Sequence, residues 1–451
     1  MPSRSDAPAG TPGRSTGGAR PRVVIVGGGF AGVAAARALR RAPADIVLID
    51  RRNHQIFQPL LYQVAGAVLA PGDVAAPLRH LAAIQSNVTV ELAEVTALDA
   101  ERRHVAARLH NGAHIAVPFD FLVLATGVGP SYYGNDGFAA HAPALKTLSD
   151  AEAIRSRILE AYELAELTDD PPERQRLMTF VLVGGGPTGV ELAATLSHMA
   201  RVTLRANFKR IRPEQTRIVL LEGARRLLLS FDESLAAAAQ RQLRRLGVEV
   251  RTGAIVEAVD SDGVVAAGAR IRAATVLWTA GVAASPLIAS AAAEVDRGGR
   301  AHVGPGLEAR PDTGVFVIGD AASLVQAGRP VPGVAQAALQ QGAYVGKAIR
   351  ARIAGRKAPP PFRYRDQGSM AVVGKDFALL QAPGVKLRGR VPWLVWAFIH
   401  VAFLPRLQNQ LRVTIQWLWS YFTGQRSSRL IAEPTSAEIL AAETAARRAA
   451  E

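Results

Sequence analysis

Short continuous apolar runs punctuate this chain, at 23–26, 46–49, 121–125, 180–183, 218–221, 276–278 and 315–318. Each is too short for a helix and is bounded by Gly, Asp, Glu or Thr, so each reads as a strand. Two of them run into one glycine spacing. Val23-Val24-Ile25-Val26 meets Gly27-x-Gly29-x-x-Gly32, and Phe180-Val181-Leu182-Val183 meets Gly184-x-Gly186-x-x-Gly189. In each, a strand ends in a tight turn that opens a helix, the first predicted over 32–41. A dinucleotide pyrophosphate can lie there on bare backbone N–H groups at the positive helix end. An Asn111-Gly112 hairpin within 101–127 and a later Asp262-Gly263 turn add antiparallel strands to the two copies. The interval from Gly27 to Gly127 is nearly repeated from Gly184 to Gly281. The expected fold is α/β, with two Rossmann-like dinucleotide-binding domains, each carrying inserted antiparallel strands.

The run that ends in Gly319-Asp320-Ala321 arrives after the second copy is complete, so the chain is expected to return to the first domain. That gives a first domain of 21–150 and 298–358, and a second of 151–297. Residues 1–20, rich in Ser, Pro, Gly and Arg, read as a disordered leader rather than a signal peptide. Pro359-Pro360-Pro361 breaks the chain ahead of a region of different character, 359–432. Residues 433–451 read as a charged terminal helix opened by a Thr435–Glu438 capping box.

In 359–432 the apolar pattern changes period. Residues 393–404 are apolar all round except His400, to which no ligand role is assigned. A helix of that length reaches ~18 Å against a hydrocarbon core of ~30 Å and cannot cross it. Leu404, Leu407, Leu411, Ile415, Leu418 and Phe422 then follow at helical intervals, making one apolar stripe. No Asp or Glu occurs from 377 to 432. Lys386, Arg388, Arg390, Arg406, Arg412, Arg426 and Arg429 are basic, and Trp393, Trp396, Trp417 and Trp419 are four of the chain's five tryptophans. The expectation is an amphipathic helical membrane-association region.

Composition narrows the chemistry. Of 451 residues, 49% are hydrophobic and 20% charged, which supports large buried cores. There is no cysteine, which excludes a thiol–disulfide centre and cysteine-ligated iron–sulfur clusters. The formal net charge of +15 asks for an anionic partner. Basic residues interleaved with long aliphatic side chains suit a lipid surface and not nucleic acid. The nine histidines form no metal-ligand pattern, since His110 and His114 flank a hairpin turn.

Candidate polar residues sit at the strand ends. Asp50, some twenty residues after Gly27, is placed to accept ribose hydroxyls, or else caps a turn. Glu222 holds the same place in the second copy, where a carboxylate favours NADH and repels a 2′-phosphate, although Arg225 and Arg226 follow it. Asp320 suits a polyhydroxyl chain or a helix cap. Glu191, placed in the first turn after Gly189, is either dipole-stabilised or a proton carrier whose pKa burial raises. Gln336 and Gln340 share a helix face beside Gln341. An amide there can bond a carbonyl without being ionised, while Ala335, Ala337 and Ala338 leave room for a flat ring and the apolar 57–62 segment can supply another wall; otherwise these are polar residues on an exposed helix face.

These residues resemble those of the type II NADH:quinone oxidoreductases, single-subunit enzymes that do not pump protons. The resemblance rests on Gly27-Gly28-Gly29-Phe30-Ala31-Gly32, Phe57-Gln58-Pro59-Leu60-Leu61-Tyr62-Gln63-Val64-Ala65, Leu124-Ala125-Thr126-Gly127 and Gly184-Gly185-Gly186-Pro187-Thr188-Gly189-Val190-Glu191. It continues in Ile318-Gly319-Asp320-Ala321, 335–342, Trp419-Ser420-Tyr421-Phe422-Thr423-Gly424 and Arg429-Leu430-Ile431. It implies FAD held by Gly27, Gly29, Phe30, Ala31, Gly32, Asp50, Thr126, Gly127, Gly319, Asp320 and Ala337. It implies NADH held by Gly184, Gly186, Gly189, Glu222 and Gly281. Glu191, Gln336 and Gln340 would be the catalytic set, acting on a membrane quinone. A homodimer on the cytoplasmic face of the inner membrane, attached to lipid through 386–429, is also implied. Gln367 stands where the family often has lysine. The rival readings are a soluble NAD(P)H-dependent reductase of an electron-carrier protein and a non-catalytic flavin redox sensor.

Overall fold

The computed structural model describes residues 20–431; the terminal helix expected over 433–451 and nearly all of the leader lie outside them. The first sheet is built on Arg22–Val26, which pairs in parallel with Asp45–Asp50 on one side and Phe121–Leu124 on the other. Its strands are buried on both faces, as a continuous apolar run requires. Helix α1 (Phe30–Ala38) opens at the glycine turn, two residues earlier than the sequence suggested. Val88–Asp99 joins the sheet in parallel and then pairs antiparallel with His104–Leu109, which pairs with His114–Pro118. These are the inserted strands, turning at Asn111-Gly112.

Helix α2 (Leu61–Ala65) follows Phe57, and helix α3 (Leu148–Leu167) leads into a second parallel sheet. Thr179–Val183 is flanked there by Arg217–Glu222 and Thr275–Trp278. Helix α4 (Pro187–His198) opens at the second glycine turn, and three antiparallel strands between 256 and 272 form a separate layer. The chain then goes back to the first sheet. Val315–Val317 pairs in parallel with Phe121–Leu124 at its edge.

Helix α5 (Ala335–Ile353) lies along α1. Its small residues make that approach feasible: a Cβ on Gly342 would sit 2.2 Å from the Ala31 carbonyl oxygen, and one on Gly346 2.5 Å from the Ala38 Cβ. The room that Gly342 and Gly346 leave is taken by α1.

After the triple proline the structure adds an element the apolar pattern did not show, an antiparallel sheet of Ser369–Val372, Ala378–Ala382 and Val385–Gly389. It is turned at Gly374 and Gly384, both at positive φ. Helices α6 (Arg390–Ala402) and α7 (Leu407–Thr423) complete the described chain. Trp396, Leu404 and Val413 belong to one buried cluster with Tyr62, Phe180 and Leu220, so these helices share a core with the second sheet. Their other faces are bare: Phe398 is 75% and Phe422 80% exposed, with Leu407, Leu411 and Ile415 exposed beside them. Among the described residues no helix is long and apolar enough to cross a membrane.

Candidate functional site

The two glycine turns are built alike down to a hydrogen bond. Asp50 Oδ2 accepts the Gly28 N–H at 2.6 Å, and Glu222 Oε2 accepts the Gly185 N–H at 2.6 Å. The second oxygen of each accepts a following N–H, from Arg52 at 2.8 Å and from Ala224 at 2.7 Å. Each carboxylate therefore clamps its own turn while keeping lone pairs for a ribose. No protein atom lies within 4 Å of a Cβ built on Gly29 or Gly186, so the backbone there is bare toward a ligand. The third glycine closes inward instead: a Cβ on Gly32 would meet the Gly27 oxygen at 1.8 Å, and one on Gly189 the Gly184 oxygen at 1.9 Å.

The first turn fits FAD on two further observations. Thr126 Oγ1 is buried with no hydrogen-bond partner. The Asp320 carboxyl, raised by burial and opposed by nearby Lys146, takes no hydrogen bond from the described residues. Both offer polar atoms that a polyhydroxyl cofactor chain satisfies. Gly319 N–H donates to Gln341 Oε1 at 2.6 Å, which fixes the loop that carries Asp320. At the second turn the Arg226 guanidinium is committed to the carbonyls of Leu228, Leu229 and Phe231, at 3.0–3.1 Å. That removes one of the two arginines able to meet a 2′-phosphate.

A cavity of about 580 Å³ opens between α6, α7 and the second glycine-turn helix. Its walls are mostly apolar or aromatic, with Tyr62, Gln63, His198, Trp396, Trp417 and Arg426 contributing polar atoms. Rings connect it to the first glycine turn. Phe30 meets Phe57 edge-on at 5.9 Å, Phe57 meets His400 at 6.1 Å, His400 stacks on Trp396 at 4.4 Å, and Trp396 on Trp417 at 5.1 Å. The His400 imidazole is pushed down to about 4 by burial and donates Nδ1–H to the Trp396 carbonyl at 2.8 Å. It is a neutral packing group.

Residues 21–342 match the family model of the pyridine nucleotide-disulphide oxidoreductases. Two Mycobacterium tuberculosis proteins, the type II NADH:quinone oxidoreductases Ndh and NdhA, are 39% and 40% identical to this chain. The alignments cover 92% of it and 91% and 90% of theirs. The chain belongs to the type II NADH:quinone oxidoreductases. A structure of Plasmodium falciparum NDH2 in complex with NADH superposes with a TM-score of 0.82 over 92% of this chain and 100% of that one, at 18% identity, and so shares the fold.

Measured against the family, the sequence-selected residues divide. Glu191 lies in the second turn of α4, not the first, because the helix begins at Pro187. It keeps part of its surface accessible, yet enclosure by protein pushes its carboxyl up to about 8, opposed by the Val372 N–H that donates to Oε1 at 3.2 Å. Burial, and after it the nearby Glu191 carboxylate, hold the Tyr62 hydroxyl well above its usual range. Gln336 and Gln340 are engaged otherwise than expected. Gln336 donates to the Gly368 carbonyl at 2.7 Å and accepts from Gln367 N–H at 3.2 Å. Gln340 does the same with Arg365, at 2.9 Å each way. Both amides act as backbone partners that pin 365–368, and neither lines the cavity. Gly281 faces the Tyr133 ring, which a Cβ would approach to 2.8 Å, so it lets the 131–133 strap cross.

Sequence reasoning missed Gln63, His198 and Arg426. Gln63 links Tyr62 to Trp417, donating to Tyr62 Oη at 3.1 Å and accepting from Trp417 Nε1 at 2.8 Å. The one signal available was their setting: Gln63 lies inside the 57–65 motif and His198 at the i+7 position from Glu191 on α4.

Proposed function

We propose that this type II NADH:quinone oxidoreductase binds its quinone in the cavity between α4, α6 and α7, and works at a lipid surface. It oxidises NADH and reduces a quinone, with FAD as cofactor. Bound FAD supplies the two-electron chemistry between the two substrates. The observation that carries the cavity assignment is the run of ring contacts from Phe30 to Trp417, which ties the first glycine turn to the cavity wall.

The chain's own residues bind, orient and exclude water. The N–H groups that open α1 would meet the pyrophosphate of FAD, with Gly27 and Gly32 shaping the turn and bare Gly29 letting the ligand approach, while Asp50 and Asp320 would accept its hydroxyls. Gly184, Gly189, Gly186 and Glu222 would play the matching parts for NADH. The walls of Trp396, Trp417 and Val401 exclude water from a flat apolar ring. Glu191 does not itself line the cavity, but Tyr62 and Val372 beside it do; with Val372 N–H on Oε1 its proton rests on Oε2 at neutral pH, behind that wall, as a proton store for quinone reduction.

The bare faces of α6 and α7 meet lipid, so a quinone dissolved in the bilayer enters without crossing water. Exposed apolar residues on that face, and Arg406 and Arg412 within it, support this reading. The resemblance adds a homodimer on the cytoplasmic face of the inner membrane. One experiment tests the core of the reading. FAD-loaded protein is given NADH with and without a soluble quinone analogue, and a substituted analogue too bulky for the cavity serves as the control. Acceptance of both analogues at equal rates would reject the cavity as the quinone site.

A further inference from the structure

The cavity ends in a cation without a counter-charge. Arg426 is 5% exposed, and no carboxylate lies within 4 Å of it among the described residues. Its guanidinium donates to the Gly66 carbonyl at 2.6 Å, the Thr195 carbonyl at 3.3 Å and His198 Nδ1 at 2.9 Å, while its buried Nε finds no partner. Arginine can only donate, so His198 Nδ1 must accept and the ring's single proton sits on Nε2. Burial, with Arg426 and Lys375 nearby, pushes the imidazole down to about 4, so it stays in that tautomer. Both side chains therefore offer donors at this end of the cavity.

The surrounding charges do not cancel the guanidinium. Lys375 donates to the Tyr421 carbonyl at 2.8 Å and lies over its ring at 3.9 Å. Asp376 is held by Tyr421 Oη at 3.2 Å and faces Arg390 at 3.8 Å. Arg429 is close enough to Arg426 to disfavour its charge, and Glu191 is protonated up to about pH 8. Two carbonyls and an imidazole could be tied by a neutral amide. A buried full charge is costly unless an anion meets it.

We infer that Arg426 and His198 form a cationic, donor-only end of the cavity that selects quinoid rings bearing an ionised ring hydroxyl over their neutral ethers. The inference rests on the reading that this cavity holds the quinone. The charged oxygen takes the free guanidinium N–H and His198 Nε2–H, while the ring lies among Trp396, Trp417 and Tyr62.

The test titrates FAD-loaded protein with 2-hydroxy-1,4-naphthoquinone, whose hydroxyl is a vinylogous carboxylic acid and is ionised at neutral pH, and separately with its methyl ether, following tryptophan quenching and competition with the quinone substrate. The anion is expected to bind at least ~10-fold more tightly than the ether. In Arg426→Gln, which keeps donors and loses charge, the two should bind within about twofold, and Arg426→Lys should restore a preference. Flavin retention and melting temperature report whether the variants are folded. Equal affinities in the unaltered protein would overturn the proposal without any variant, as would a preference that survives in folded Arg426→Gln. If both compounds bind but neither competes with the quinone, the assignment of the cavity to quinone falls, and the selectivity argument falls with it.

Discussion

Glu191 is a side chain whose environment reverses its ordinary chemistry. Its carboxyl titrates near 8 in the folded protein against an ordinary 4.5, so between those values the unfolded chain releases a proton that the folded chain retains. Stability tied to that proton is complete below about pH 4.5 and declines as pH rises toward about 8. Glu191→Gln should remove this dependence, which melting curves across pH will show. If Glu191 delivers the quinone's proton, the same substitution should lower kcat for quinone reduction ~100-fold, and leave the rate of flavin bleaching by NADH unchanged in stopped flow. Two glycines separate the two nucleotide sites just as cleanly. A methyl on Gly189 drives into the Gly184 carbonyl and one on Gly32 into the Gly27 carbonyl. Gly189→Ala should purify yellow but fail to bleach with NADH, whereas Gly32→Ala should lose its flavin. These glycines and Asp50 and Glu222 were legible because a strand, a turn and an acid at fixed spacing have one geometric meaning. Gln336 and Gln340 were not, because spacing puts two amides on one face without saying which neighbour takes them.

Between elements, the contact of α1 with α5 carries the most risk. Gly342 and Gly346 meet Ala31, Ala34, Ala35 and Ala38 at backbone range, so neither position tolerates a side chain without parting the helices. Gly346→Val should cost at least ~1–3 kcal/mol by overpacking and weaken flavin retention, since α5 also holds the loop of Asp320 through Gln341. Thermal melts with a free-flavin assay check both. The strands and glycine-turn helices were readable because apolar runs of three to five residues between turn signals have few alternatives. The sheet over 369–389 was not, because its alternation is short and its last strand is exposed, so burial leaves little trace in the pattern. Helix α7 was readable as an amphipathic stripe, but not its anchor: buried Asn409 donates to the carbonyls of Gly72, Asp73 and Ala75 at 2.8–3.2 Å, partners more than three hundred residues away.

At the scale of the whole molecule, one face gathers exposed apolar side chains under a basic, acid-free segment. Leu411→Glu with Ile415→Glu puts two charges on that face at positions that do not line the cavity. The double variant should stop co-floating with anionic vesicles while still reducing a water-soluble quinone analogue. Co-flotation equal to that of the unaltered protein would remove lipid contact from the reading. High salt should weaken attachment too, by up to ~1 kcal/mol for each arginine near the surface. The sequence displayed this face through its tryptophans and missing acids. It did not display that the reverse of the same helices packs into the nucleotide-binding half.

That shared packing sets a timetable for synthesis. The first sheet receives its last strand once residue 317 has left the ribosome, whereas the other half waits for Trp396, Leu404 and Val413. A chain stalled between those points carries a finished sheet beside an open apolar wall, and the wait is when holding chaperones matter most. Removing α6 and α7 recreates that stalled chain permanently, so a shortened form should aggregate instead of serving as a freely diffusing reductase.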